Sequence, residues 1–133
     1  MDKLVSAFKA KLEPVLYSLR DQLLECHEGL TASVGFSSNS AFLLRAYVSV
    51  LKDTDGEEIA ITADVRTVGD TIVIESDVVH EDGLIIADGP STILNKDISP
   101  PKSQEKIDVW LRDFEKLFSD QATLIDSAIR DLK

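Results

Sequence analysis

Asp64, Glu75 and Asp77 lie in a stretch where apolar and polar residues alternate. A period of two puts successive side chains on opposite faces of a strand. The three carboxylates therefore share the polar face with Arg45, Tyr47, Thr62 and Arg66. Carboxylates held close together can do general acid–base work, as the paired acids of glycoside hydrolysis do. With two arginines nearby, the same residues can instead form cross-strand ion pairs. Acid–base work needs a pocket that desolvates one of the acids, and an open sheet face offers none. We therefore read Arg45, Tyr47, Asp64, Arg66, Glu75 and Asp77 as a candidate partner-binding surface and assign no catalytic residue.

The other reactive residues point to no site. Cys26-His27-Glu28 and His80-Glu81-Asp82 hold both histidines and the one cysteine. An adjacent Cys-His pair plus a remote His does not match a zinc spacing. Cys26 and His27 are expected to finish a helix, where a cationic imidazole suits the dipole. Asp53-Thr54-Asp55-Gly56 carries its glycine fourth, whereas a calcium loop carries it sixth. A hairpin turn is expected there. The chain has no phosphate-cradling Gly-rich loop, no nucleophile elbow and no dinucleotide fingerprint. Lys3, Lys9 and Lys11 lack interleaved aromatics, so a nucleic-acid partner is not expected. No cofactor or metal is expected.

Two helical stripes flank the alternating region. Leu4, Phe8, Leu12, Val15, Leu19 and Leu23 recur every three or four residues and keep phase across Pro14. One helix, kinked at Pro14 and stopped near Gly29, is expected. A second stripe, Ile107, Leu111, Phe114, Phe118, Ala122, Ile125, Ile129 and Leu132, predicts one continuous C-terminal helix capped by Ser103. Between them, strands are expected at 41–51, 58–66, 71–79 and 84–94, with glycine turns at 53–56, 68–69 and 82–83. Residues 31–36 read as a loop or a short extended piece. A four-residue loop at 53–56 pairs Val50 with Ile59. A two-residue loop at Val68-Gly69 pairs Val65 with Ile72 and Ile61 with Ser76, and sets Asp64 diagonal to Glu75. These registers put the apolar parity of three strands on one face. Pro90 marks the fourth strand as an edge strand or a bulge.

The expected fold is a single α+β domain over residues 1–133. It is a two-layer sandwich, a four-stranded antiparallel meander with long N- and C-terminal helices on one face, in the order α-β-β-β-β-α. Helices of about 25 residues outrun the strands at ~1.5 Å per residue. That overhang and the wide second stripe suggest a homodimer.

With 133 residues, 44% hydrophobic and 29% charged, the composition is that of a folded globular chain. No apolar run is long enough to span a bilayer, so no membrane partner is expected. A single cysteine and a start without a signal-peptide pattern fit a cytoplasmic location. The net charge is −10, and residues 53–90 hold eleven acids and one base, so the rest of the chain is neutral. Such a field attracts basic partners. The expected function is a small acidic protein-interaction module without enzymatic activity: an adaptor, a chaperone-like protein, or an inhibitor- or immunity-type partner of a basic protein. In size and acidity the chain is similar to secretion-type chaperones and toxin-neutralising partners as a class. The alternative is an enzyme or small-ligand binder with a pocket between sheet and helices, which would need polar groups turned inward. Ser76 is the one polar residue on the apolar strand face.

Overall fold

The computed structural model describes residues 2–53 and 55–133. The chain is α+β, with an N-terminal helix, a five-stranded antiparallel sheet and two C-terminal helices. In chain order these are α1 (Asp2–Cys26), β1 (Thr31–Ser37), β2 (Leu44–Leu51), β3 (Glu58–Val68), β4 (Thr71–His80), β5 (Ile85–Asn95), α2 (Pro100–Asp120) and α3 (Ala122–Arg130). Strands stand side by side in sequence order, each joined to the next as a hairpin.

The sheet has five strands and not four. The added one is β1, whose Ala32, Val34 and Phe36 pair with Val50, Val48 and Ala46 and continue the apolar parity to the sheet edge. α1 runs through Pro14 as one helix. Beyond it Gly29 takes φ +75°, a left-handed turn that a side chain disfavours.

β2 and β3 pair as expected, Val50 opposite Ile59. Thr54, in the loop that joins them, lies outside the described residues. The β3–β4 register is two residues away from expectation. Val65 faces Ile74, Ala63 faces Ser76, and the two-residue turn is Gly69-Asp70, between Val68 and Thr71. Gly69 is the turn's positive-φ residue, at +58°. A tight turn of this kind places glycine first, and β-branched Val68 could not take that role. Because the slip is an even number, every side chain keeps its face.

β5 is an edge strand with two register shifts. At one of them Ser76 alone stands opposite Gly89-Pro90, since Glu75 pairs with Ser91 and Asp77 with Asp88. This bulge absorbs Pro90, which has no N–H to give the ladder. A Cβ on Gly89 would lie 2.8–2.9 Å from the Cβ, Oγ and carbonyl O of Ser76, so only glycine fits.

The long C-terminal helix is broken at Gln121, which leaves helical geometry at φ −111°, ψ 18°. Ser103 is not its cap. The helix opens at Pro100 and Pro101, where a missing N–H costs nothing, and Ser99 occupies the capping position. Ser103 is buried one turn in, its hydroxyl donating to Pro100 O at 2.9 Å.

One core joins the layers. Phe8, Leu12 and Leu16 of α1, Trp110 and Phe114 of α2, and Ile125 and Ile129 of α3 cluster with Val48, Ile61 and Ile74 of the sheet. Phe114 is fully buried, while Phe118, a member of the same apolar stripe, is only partly covered. Trp110 stacks on Phe114 at 5.1 Å and meets Phe8 edge-on at 5.3 Å. Its indole N–H donates to Pro90 O at 2.9 Å, which ties α2 to the bulge. Lys11–Asp108 (2.9 Å) and His27–Asp126 (3.0 Å) show that α1 runs alongside α2 and α3 in the same direction.

Candidate functional site on the helix-free face

The second face of the sheet is laid out in rows by the strand register. One row across β1 to β5 reads Ser37, Arg45, Asp64, Glu75, Ser91. The next reads Gly35, Tyr47, Thr62, Asp77, Asp88. The six residues singled out in the sequence thus share one face, with Arg66 diagonal to Glu75. The two-residue register difference makes Asp64 and Glu75 direct neighbours. The separate β4–β5 register sets Asp77 opposite Asp88, an acid whose face the sequence did not reveal.

Two carboxylate pairs therefore stand directly opposed on adjacent strands, an arrangement that costs stability. Compensation is partial. Arg45 Nε–H donates to Asp64 Oδ1 at 3.2 Å, and Arg66 Nε–H to Glu75 Oε1 at 2.6 Å. Asp77 Oδ1 accepts from the Thr62 hydroxyl at 2.8 Å. Neither Asp77 nor Asp88 is paired with a base among the described residues. Thr62, Asp64, Glu75, Asp77, Asp88 and Ser91 line a hollow of about 290 Å³.

The centre of this face is drier than an open sheet suggests. Asp64 is 8% exposed, and Thr62, Ser49 and Val73 are buried with it. Burial pushes the Asp64 carboxyl above its ordinary range; Arg45 pulls it back, and the charges of Asp77 and Glu75 push further up. Tyr47 lies across Gly35, where any Cβ would collide with the phenol ring. Arg45 also stacks on Phe42, 4.3 Å from the ring centre. The outcome is a carboxylate hollow with guanidinium groups on one flank.

The remaining candidates are dispersed. His27 contacts Asp126, and His80 lies between Glu57 (3.1 Å) and Asp82 (3.1 Å) at the opposite end of β4 from the β3–β4 turn. Cys26 is exposed at the end of α1. Among the described residues no group of three or more His, Cys, Asp or Glu has metal-holding geometry. No described helix is long and apolar enough to cross a membrane.

A second concavity, about 450 Å³, opens between the start of α1, the end of β5 and the start of α2. Leu4, Ile72, Leu94 and Ile107 form its walls, and Lys3 and Lys96 stand at its rim. Ser76, the inward polar residue noted in the sequence, is buried with an unpartnered hydroxyl among the described residues, but it lies at the bulge and does not line this cleft. No family model, curated protein or solved structure matches this chain.

Proposed function

We propose that the chain is a non-enzymatic protein-interaction module of the adaptor, chaperone-like or inhibitor type, and that its helix-free face receives a basic side chain of a protein partner. The observation that carries this reading is the pair of opposed carboxylate couples, Asp64/Glu75 and Asp77/Asp88, with arginines for only two of the four. Like charges opposed across strands are retained at a cost. A lysine or arginine entering the hollow would offset that repulsion and complete the hydrogen bonding of Asp77 and Asp88. Rim acids at the hairpin ends, among them Asp53, Asp55, Glu81 and Asp82, would speed the encounter.

The test is capture from a native lysate by immobilised protein, with Asp77→Lys/Asp88→Lys compared against wild type. These positions are preferred to Asp64, which is buried and braced by Arg45. Captured proteins should be basic, should be lost from the double variant, and should bind more slowly as salt shortens screening to ~8 Å at 0.15 M. Equal recovery of the same proteins by both forms rejects the reading and leaves the acids as a solubilising surface.

The apolar cleft supports a second reading, a binder of a small molecule with an apolar body and an acidic head. Its walls are aliphatic and its rim charges are the cations Lys3 and Lys96. Titration with decanoate, followed by amide chemical shifts at Ile72, Leu94 and Ile107, should localise binding there. Absence of shifts at millimolar ligand removes this second reading.

A further inference from the structure

The two edges of the sheet are not alike. β5 carries the devices that discourage strand addition: Pro90, two register shifts and an outward carboxylate at Asp88. β1 carries none. Thr31–Ser37 is regular along its whole pairing with β2 and contains no proline and no charged residue. The neutrality extends well past the strand, since residues 29–44 include no Asp, Glu, Lys or Arg in a chain of net charge −10. Along its outer side, the backbone groups of β1 have no hydrogen-bonded partner among the described residues.

We infer that β1 pairs antiparallel with β1 of a second copy of this chain, which joins two sheets into one of ten strands. Self-pairing fits for three reasons. An antiparallel strand pair is two-fold symmetric, as a closed homodimer requires. β1 itself carries no charge and, among the described residues, the one cation seated on it is Lys9, 4.8 Å from the centre of the Phe36 ring, whereas contact through the 53–90 region would oppose acid to acid. The core is also unfinished at this edge: Leu30, Ala32, Val34 and Phe36 are only partly covered, although they pack on the buried cluster. Centring the two-fold axis on Val34 sets it against the Val34 of the second copy and sets Ala32 against Phe36. All of these lie on the helix-bearing side and would be buried. Ser33 then meets Gly35 on the other face, where Tyr47 already fills the space above Gly35. The pairing leaves the carboxylate hollow open, so this inference stands or falls separately from the proposed partner site.

Sedimentation equilibrium from 1 to 100 µM tests the association, with Val34→Lys and Val34→Glu as variants. The wild type is expected to dimerise within this range, and each variant alone should be monomeric. An equimolar mixture of the two variants should recover the dimer, because lysine then faces glutamate at the axis. A misfolded variant could not give that recovery. A wild type that stays monomeric at 100 µM overturns the inference and leaves the edge for a strand of another protein. A dimer that persists in both variants overturns it too. Should the variants fail to fold, amide exchange of the wild type decides: slower exchange in β1 at high than at low concentration supports the pairing, and unchanged exchange there refutes it.

Discussion

At Trp110, packing and polarity act through one side chain. The ring is 1% exposed between Phe8 and Phe114, and its N–H satisfies the carbonyl of Pro90 at the bulge. Trp110→Phe keeps most of the packing but orphans that carbonyl, at an expected cost of about 1–3 kcal/mol. Phe114→Ala should cost about 3–5 kcal/mol, as for other large core aromatics. Urea midpoints at constant m check both. Asp64 gives the pH test. Its carboxyl titrates above the unfolded value, so the ionised form is the disfavoured one in the fold. Its penalty is therefore present at neutral pH and disappears as pH falls through the folded pKa toward 3.8. Relative to wild type, Asp64→Asn should be most favourable near pH 7, and the advantage should shrink on acidification to pH 3.5. An advantage that is flat or grows toward acid contradicts the burial argument. That Arg45, Tyr47, Asp64, Arg66, Glu75 and Asp77 share this face was legible from alternation alone. What was not legible was that Asp64 is buried, because that depends on the neighbours the register brings to it, among them Arg45, whose guanidinium bonds its carboxylate.

At the level of elements, the sequence was most informative where one periodic signal ran unbroken. α1, β2, β3 and β4 follow their patterns, and the β2–β3 hairpin has its expected register. β1 has the right alternation at Ala32, Val34 and Phe36, but serines and a glycine between them dilute it. The break at Gln121 left no trace because the apolar stripe resumes in phase at Ala122 and Ile125, and neither glycine nor proline marks it. The face of Asp88 could not be counted through the bulge, since one residue opposite two resets the parity. That bulge has a testable requirement. Gly89→Ala would press a methyl onto Ser76, including its backbone carbonyl, which cannot swing aside as a side chain can. The expected loss is about 1–3 kcal/mol, the usual range for overpacking. A calorimetric midpoint equal to wild type would show that the bulge can open.

For the whole molecule, charge and topology separate cleanly. The acids gather around the sheet and its hairpins, and the helical layer and the β1 edge are left close to neutral. Because the strands lie in sequence order, every sheet pairing closes a short loop, while the helical layer is stitched by contacts between distant residues such as Lys11 with Asp108 and His27 with Asp126. Loop-closure entropy favours the short loops first. In a chevron experiment, Ile61→Val should mainly slow folding and Leu12→Ala should mainly speed unfolding; the reverse pattern would place α1 in the nucleus. The same topology sets a timetable during synthesis. Phe8 leaves the ribosome long before Trp110, the ring it will meet edge-on. At ~5–20 residues per second, that interval is on the order of 5–20 s. Over that interval the α1 stripe is a nascent apolar surface still waiting for α2, and whatever shields it then, the growing meander or a chaperone at the exit tunnel, governs the yield of native chains.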